Sequence, residues 1–367
     1  DRRQRQMCIR DRNIMSVNYK EFGKNKDNNN IVLITLTNEN GYAMGVTNLG
    51  ASLVSFCAKD KSGSFRDVVL GFKSGEYYEH YNFDAMGSTV GRNANRISNH
   101  SFELNGIRYE LADTYQGANI HSGPDLYGKR LWDYEVKEED NGSYVKFSLL
   151  SPDMDQGIPG NLEISVTYML TADNSMRIIY EGVSDKDTIV NMTNHGYYNL
   201  NGHGCGNIDN HLLYINADSF TYSEDGNVAN DTVRDVTGTP FDFRNMKKIK
   251  ECLESDFEPV VSKHGLDHNF CLNNNSHHAV RLESEESGIA LDVYTDRPGI
   301  QIYTANHMNM TNGGKDNKVY GNRGGIALET QFYPDAVNHK DFLSPVVKAG
   351  MHFRSVTEYK FSVIGEK

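Results

Sequence analysis

Short strand-length runs separated by turn residues constrain the fold of this chain more than any other feature. From Asn30 onwards, runs rich in Val, Ile, Tyr, Phe and Thr alternate with clusters of Gly, Asn, Asp and Ser. Runs bounded in this way are typical of β-strands. Helical periodicity is scarce, and one short helix is predicted at 245–254. Strands are predicted at 31–37, 51–58, 145–150, 162–170, 176–182, 211–217, 279–282, 290–295, 299–305 and 359–364.

Two Asn-Gly pairs predict tight hairpins between neighbouring runs. Asn105-Gly106 separates 101–104 from 107–111, and Asn141-Gly142 separates 134–137 from 144–149. Asn-Gly favours the type I′ turn, whose twist matches that of antiparallel strands. The chain has neither a fixed-period repeat nor a Pro/Ser-rich linker. We therefore predict an all-β protein with one domain over 15–367, a large antiparallel β-sandwich.

Charge and cysteine content narrow the range of partners and compartments. The formal net charge is -12, so nucleic-acid and lipid phosphates are repelled at long range, and we expect neither partner. The cysteines are Cys8, Cys57, Cys205, Cys252 and Cys271, an odd number without CxxC spacing. This pattern indicates free thiols in a reducing compartment. No apolar run is long enough to span a bilayer, and we predict a cytoplasmic protein.

The segment 1–14 differs from the rest of the chain. It reads DRRQRQMCIRDRNI, is rich in arginine, and lacks both an apolar core and a small-residue cleavage site. It therefore does not resemble a secretion signal, and Asp1 and Asp11 count against a mitochondrial presequence. We interpret 1–14 as an extraneous or disordered leader, with the natural start at Met15, and expect its removal to leave folding and activity unchanged.

A single carboxylate lies within the apolar run 325–336, GIALETQFYPDA. On a strand, alternation places Ile326 and Leu328 on one face and Ala327 and Glu329 on the other. A lone acid at such a position is either an exposed strand residue or a catalytic base. The stretch by itself favours exposure, because acids in strands usually face solvent.

Several other loops carry residues suited to acid–base or sugar chemistry. His121 begins a tight turn (IHSGP) and His195 lies among aromatic residues (TNHGYYNL). Histidine titrates near neutrality and suits proton donation, although a single loop histidine more often serves packing. Two arginines in 90–97 (VGRNANRI), Arg92 and Arg96, could clamp a hydroxyl-rich or anionic ligand or form structural salt bridges.

Two further polar residues lie on predicted strands. In GLDHNF, Asp267 and His268 are adjacent, so one of them at most reaches a given cleft. Asp267 could bind hydroxyls or cap a turn, and Gln301, opposite in phase to Ile300 and Ile302, is either exposed or lines a cleft. The sequence contains no HExxH, Walker, GxGxxG or GxSxG motif, and its histidines lack zinc-site spacing.

Taken together, these stretches resemble the aldose 1-epimerases, also called galactose mutarotases. The resemblance runs in order from about residue 20 to the C-terminus. It implies a large antiparallel β-sandwich of the galactose-mutarotase type, a supersandwich. The stretches that carry it are 48–51 (NLGA), 91–97 (GRNANRI), the His121 turn, 193–200 (TNHGYYNL), 266–270 (LDHNF) and 328–331 (LETQ).

The resemblance also implies an activity, which is interconversion of the α and β anomers of free hexoses such as D-galactose and D-glucose. Glu329 matches the family's general base, which deprotonates the hydroxyl on C1, and His195 matches the general acid, which protonates the ring oxygen. No metal, nucleotide or other cofactor is implied, and we expect a monomer or a weak homodimer. The positions that match sugar-binding residues are Arg92, His121, Asp267 and Gln301.

Two departures and two alternatives accompany this interpretation. Ser122 stands where the family commonly has glycine, and this is compatible with the loop if the position does not need positive φ. Asn93 stands where a small apolar residue is frequent. One alternative function is a hexose-6-phosphate 1-epimerase, which would need a basic cluster for the phosphate. The other is a non-catalytic sugar-binding protein on the same fold.

Overall fold

Strands dominate the structure, as the alternating runs predict. The computed structural model describes residues 16–82, 85–139, 142–222, 232–273 and 275–365, and the predicted leader 1–14 lies outside them. The strands are β1 (Ser16–Lys24), β2 (Asn30–Thr37), β3 (Ala43–Thr47), β4 (Ser52–Lys59), β5 (Phe65–Asp67), β6 (Thr89–Val90), β7 (Arg96–Ser98), β8 (Ser101–Leu104), β9 (Ile107–Glu110), β10 (Ala118–Ile120), β11 (Asp133–Glu139), β12 (Gly142–Ser151), β13 (Leu162–Thr171), β14 (Ser175–Ser184), β15 (Thr188–Ile189), β16 (Thr193–Asn194), β17 (Tyr197–Tyr198), β18 (Leu212–Ile215), β19 (Ala217–Tyr222), β20 (Thr232–Asp235), β21 (Lys247–Lys248), β22 (Asp267–Leu272), β23 (His278–Glu283), β24 (Ile289–Thr295), β25 (Gly299–Tyr303), β26 (Ile326–Gln331), β27 (Val346–Val347) and β28 (His352–Val363).

The helices are short: α1 (Gly75–Tyr81), α2 (Ile249–Leu253) and α3 (Glu258–Ser262). The predicted helix at 245–254 is wrong in its first turn, because Lys247 and Lys248 pair as β21 with the edge strand β18. Helix α2 then buries Ile249 and Cys252, which lie one turn apart on the same face. Within the described ranges, no helix has both the length and the apolar character that crossing a bilayer requires.

Both predicted hairpins join antiparallel strands. Strands β8 and β9 pair around Asn105 and Gly106, whose φ angles of 55° and 75° are those that a type I′ turn requires. Strands β11 and β12 pair with Val136 opposite Val145. Asn141, in the second predicted turn, lies outside the described residues. Local turn chemistry therefore predicted both strand pairings.

In the part of the chain that the structure describes, three large antiparallel sheets form the architecture. Their strand orders are β1-β2-β3-β4-β5, β11-β12-β13-β14-β28-β24-β23-β18-β21 and β17-β26-β25-β22-β19-β20. The nine-stranded sheet packs against both smaller sheets. Phe361 of β28 stacks on Phe56 of β4 with ring centroids 4.1 Å apart, and Tyr359 of β28 stacks on Tyr198 of β17 at 5.5 Å. The predicted all-β class, with large antiparallel sheets packed face to face, is confirmed.

Strand β26 separates its side chains by face as the alternation predicts. Ile326 and Leu328 belong to the main apolar core, whereas Ala327 packs in a second cluster on the opposite side of the strand. Glu329 shares the face of Ala327 but is 2% exposed. The expectation that an acid at this position faces solvent is therefore wrong, because loops cover the outer face of the six-stranded sheet.

The stacked contact between the sheets can be tested by truncation. Phe361→Ala removes a ring that is 1% exposed and should destabilise the fold by about 3–5 kcal/mol, through lost burial and a residual cavity. Leu343→Ala is the matched control, since Leu343 is 63% exposed and its loss should change stability by less than about 0.5 kcal/mol. Urea unfolding of both variants measures the difference, and equal losses would contradict the packing described.

Candidate active site

A polar cleft of about 680 Å³ opens on the outer face of the six-stranded sheet. Strands β22, β25 and β26 form its floor, and loops that follow β6, β10 and β16 form its walls. Five of the six predicted site residues line it, namely His121, His195, Asp267, Gln301 and Glu329. The sixth, Arg92, lies elsewhere.

His195 and Glu329 meet at the base of the cleft. The Nε2 atom of His195 lies 3.5 Å from Oε1 of Glu329, and both side chains are buried. The His195 segment is held by its backbone, since its N–H donates to Ser88 O (2.9 Å) and its carbonyl accepts from Gly87 N–H (2.8 Å). The two groups come from segments more than a hundred residues apart, so the fold alone brings them together.

Burial shifts the two pKa values in opposite directions. It raises the pKa of Glu329 to about 8, with the nearby charge of Asp267 acting in the same direction. It lowers the pKa of His195 to about 4. Each group is pushed towards its neutral form, because a low-dielectric site disfavours charge.

His121 is oriented as a hydrogen-bond donor into the cleft. It lies in a turn with φ of 54°, and its ring centroid is 5.6 Å from that of His195. Its Nδ1 accepts the N–H of Asn95 at 3.2 Å, so in the neutral ring the proton is on Nε2. Burial, followed by the charges of His195 and Arg96, holds the pKa of His121 well below its usual value.

His121, His195 and Glu329 are also close enough to be considered as ligands of a metal ion. Ligand atoms of His121, His195 and Glu329 lie within 4.8 Å of one another. In His121, however, Nδ1 is engaged by Asn95 and Nε2 carries the proton. Either nitrogen would have to give up its present role to bind a cation. The cluster fits hydrogen bonding to a polar ligand better than coordination of a metal.

Ser122 adopts a conformation that normally favours glycine. Its φ is 53°, so the condition under which serine was expected to fit this loop is not met. Its hydroxyl offsets the strain by accepting the N–H of Asn93 at 2.8 Å and donating to the Asn93 carbonyl at 3.2 Å. The two positions that depart from the family pattern are therefore in direct contact, and together they fix the turn that carries His121.

A row of hydrogen bonds crosses the floor of the cleft. Asn95 Nδ2 donates to Gln301 Oε1 (3.1 Å), and Gln301 Nε2 donates to Asp267 Oδ1 (2.7 Å). The other oxygen of Asp267 is 3.6 Å from Nη2 of Arg96. Strand register supports this row, because Gln301 on β25 lies directly opposite Glu329 on β26. Of the two alternatives for Gln301, an exposed position or one that lines a cleft, the structure shows the second.

Asp267 and His268 divide between the two faces of β22, as their adjacency predicts. Asp267 lines the cleft, and the His268 ring packs 4.6 Å from Phe241 in the core. Burial raises the pKa of Asp267, but the positive charge of Arg96 and the hydrogen bond from Gln301 outweigh it, so the net pKa is lowered. Asp267 is therefore an ionised acceptor within the cleft.

The prediction that Arg92 contacts a ligand is wrong. Arg92 is 1% exposed, and its guanidinium donates to Pro159 O (2.8 Å), Gly160 O (3.1 Å) and Ser151 Oγ (2.6 Å). A buried guanidinium surrounded by carbonyl and hydroxyl acceptors holds the loop in place from behind. The acceptors lie about 60 residues or more along the chain, so no local pattern indicated this role.

Arg96 takes the position in the cleft that was predicted for Arg92. It begins β7, opposite in phase to the buried Ile97, and this alternation was visible in the sequence. The Tyr115 ring lies 4.8 Å from its guanidinium carbon. Asn95, Tyr197 and Tyr303 also line the cleft and were not predicted. Asn95 lies within the 90–97 stretch that drew attention to the two arginines. Tyr303 lies two residues after Gln301 on β25, so both side chains point to the same face of the sheet.

Comparisons with known proteins identify the family of this chain. The family model for aldose 1-epimerase matches residues 32–360. An aldose 1-epimerase of Haemophilus influenzae is 38% identical over 334 residues, which cover 90% of this chain and 95% of that protein. A galactose mutarotase of Homo sapiens is 37% identical over 316 residues, covering 86% of this chain and 89% of its own.

Comparison with solved structures supports the same family and the predicted sandwich of the galactose-mutarotase type. The solved structure of a galactose 1-epimerase from Lactobacillus acidophilus superposes with a TM-score of 0.85 at 29% identity, covering 96% of this chain and 100% of that one. Relatives are thus matched along nearly their whole length, both in sequence and in three dimensions. The chain belongs to the aldose 1-epimerase family.

Proposed function

We propose that this enzyme interconverts the α and β anomers of a free hexose such as D-galactose or D-glucose, with Glu329 as base and His195 as acid. The observation that carries the proposal is the buried contact between His195 Nε2 and Glu329 Oε1, 3.5 Å apart at the base of a polar cleft. Relatives named for aldose and galactose support the substrate class.

In the proposed ring opening, Glu329 takes the proton of the hydroxyl on C1 while His195 gives a proton to the ring oxygen. The bond between C1 and the ring oxygen breaks, and C1 becomes the carbonyl of the free aldehyde. After rotation about the C1–C2 bond, closure on the other face returns both protons with the two roles exchanged. Both reacting oxygens are bonded to C1, so an acid and a base this close can serve both.

The proton balance follows from the pKa values. With a pKa of about 8 for Glu329 and about 4 for His195, the pair holds one proton near neutral pH, and it rests on Glu329. Opening starts from the other arrangement, with the proton on His195. Sugar hydroxyls that donate to Glu329 favour this arrangement, because hydrogen bonds to a carboxylate lower its pKa.

The remaining cleft residues suit the binding of hydroxyl groups. Asp267 and Gln301 offer acceptors, whereas Arg96 and the Nε2–H of His121 offer donors. Their mutual hydrogen bonds hold them in place before the sugar arrives, which limits the entropy lost on binding. We assign sugar binding to these four residues and to Asn95.

Compartment and assembly remain predictions. Within the described ranges no disulfide joins the cysteines, which supports a reducing compartment such as the cytoplasm. A small aldose is the proposed partner. A monomer or weak homodimer, and a single domain over 15–367, stay as predicted from the sequence.

The activity is tested by polarimetry on freshly dissolved α-D-galactose. The protein should speed equilibration above the buffer rate, and Glu329→Gln should slow the catalysed rate by about 100-fold or more, because it keeps the shape and removes the base. Rates with D-glucose, D-xylose, L-arabinose and glucose 6-phosphate define the substrate range. An unchanged rate in Glu329→Gln would move the base elsewhere, and no acceleration by the native protein would refute the activity.

The two arginines of the 90–97 loop should respond differently to the same change. Arg92→Lys should lower the free energy of unfolding by about 2–3 kcal/mol and leave KM nearly unchanged, because lysine cannot satisfy the buried acceptors. Arg96→Lys should raise KM by about 10-fold with stability nearly unchanged. Urea unfolding and polarimetric kinetics separate the two effects. A raised KM in Arg92→Lys without loss of stability would contradict the structural role of Arg92.

The pH dependence of kcat/KM should report the shared proton. Above about pH 8 the pair loses its proton from Glu329, and below about pH 4 it gains a second on His195, so kcat/KM should be flat between these values and fall on both sides. The alkaline limb should be absent from the residual activity of Glu329→Gln. A limb that persists at the same pH in that variant would assign it to another group.

A further inference from the structure

The two residues that flank Glu329 along β26 are both hydrogen-bonded from the core side. Leu328 and Thr330 point away from the cleft, towards the nine-stranded sheet, and both are buried. Strand β28 of that sheet contacts each of them through a hydroxyl group, from Tyr359 and Thr357 respectively. Glu329 itself points in the opposite direction, into the cleft.

Tyr359 bridges the strand that carries Glu329 and the strand that follows His195. Its hydroxyl donates to the Leu328 carbonyl at 2.9 Å, and its ring stacks on Tyr198 with centroids 5.5 Å apart. Tyr198 lies three residues after His195 in the chain. The Tyr359 side chain is 1% exposed, so its hydroxyl has left water to make this contact.

A row of threonine hydroxyls makes the second link between the sheets. The Oγ1 atoms of Thr330 and Thr357 are 2.5 Å apart, and Thr357 Oγ1 lies 3.1 Å from that of Thr295. All three threonines are buried. Hydroxyls in an apolar layer are costly unless they are paired, so this row is a specific connection rather than general packing.

Strand β26 needs such support at this point. Its ladder with β17 pairs Ile326 with Tyr198 and Ala327 with Tyr197, and it ends there. From Leu328 onwards the described ladder has β25 as its partner, on one side. Glu329 therefore lies just beyond the end of two-sided pairing, where the backbone has fewer constraints from its own sheet.

We propose that Tyr359 and Thr357 are positioning residues that hold Glu329 at its working distance from His195. Tyr359 binds the backbone carbonyl of the residue before Glu329, and Thr357 contacts the side-chain hydroxyl of the residue after it. Both are buried, and neither lines the cleft. A displacement of about 1 Å at a reacting group can cost about 100-fold in rate, so small losses of anchoring should be visible in kcat. The inference rests on the proposed role of Glu329.

Hydroxyl removal tests the proposal without large changes in shape. Tyr359→Phe should lower kcat by about 10-fold and Thr357→Val by a few-fold, with KM changed less than about twofold, because the sugar-binding residues lie on other segments. Thr357→Ser keeps the hydroxyl and should restore most of the rate. Kinetics are measured by polarimetry well below the melting temperature, with folding checked by circular dichroism.

Tyr320→Phe is the matched control. Tyr320 is also a buried phenol that donates to a backbone carbonyl, Gly71 O at 3.0 Å, but it does not line the cleft. Its hydroxyl also contacts Nδ1 of His203 at 3.0 Å, so Tyr320→Phe should lose at least as much stability as Tyr359→Phe and keep its kcat. A native kcat in folded Tyr359→Phe, or an equal fall of kcat in Tyr320→Phe, would overturn the positioning role.

Comparison with Glu329→Gln, alone and combined with Tyr359→Phe, separates this proposal from the proposed function. If Glu329→Gln is inactive and Tyr359→Phe is native, the positioning role fails and the proposed base stands. If Glu329→Gln is active, the proposed base fails first. In the Glu329→Gln background, Tyr359→Phe should have little further effect on the rate, because it acts through the missing carboxylate. A full additional loss would place its role elsewhere in the molecule.

Discussion

The packing of the nine-stranded sheet against both smaller sheets is the constraint on which the rest of the structure depends. Phe56 on Phe361 and Tyr198 on Tyr359 join three sheets through one apolar layer. The inner face of the six-stranded sheet packs in this layer, and the cleft lies on its outer face. Side chains of consecutive strands then converge on that face, because residues directly opposite in the ladder point the same way.

Burial within that cleft sets the protonation of Glu329 and His195, the acid–base pair that we propose. The same removal from water that raises the pKa of Glu329 lowers that of His195, so the two groups together hold one proton near neutral pH. Such a pair suits a reaction that is nearly thermoneutral, where each group must act as acid in one direction and base in the other. Asp267 and Arg96 lie beside the pair with opposite charges, and their effects on the pKa of Glu329 oppose each other. Burial is therefore the main cause of the raised pKa of Glu329.

Local features of the sequence predicted local features of the fold well. The Asn105-Gly106 turn, the alternation along β26 and the division of Asp267 from His268 all follow from neighbours within a few residues. The failures have a common cause. Residues Lys247 and Lys248 became a strand because an edge strand was available to pair with them, and Arg92 was buried because distant carbonyls surround it. Neither partner is visible along the chain.

The sequence by itself determined the all-β class and most strand positions, and through resemblance to a family it indicated Glu329 and His195 as the acid–base pair that we propose. The tertiary structure decided which of Arg92 and Arg96 reaches the cleft, how Ser122 tolerates positive φ, and that Glu329 is buried rather than exposed. The reason is one of range. Turn chemistry and alternation act between neighbouring residues, whereas burial and its pKa shifts depend on segments that meet when the sheets pack.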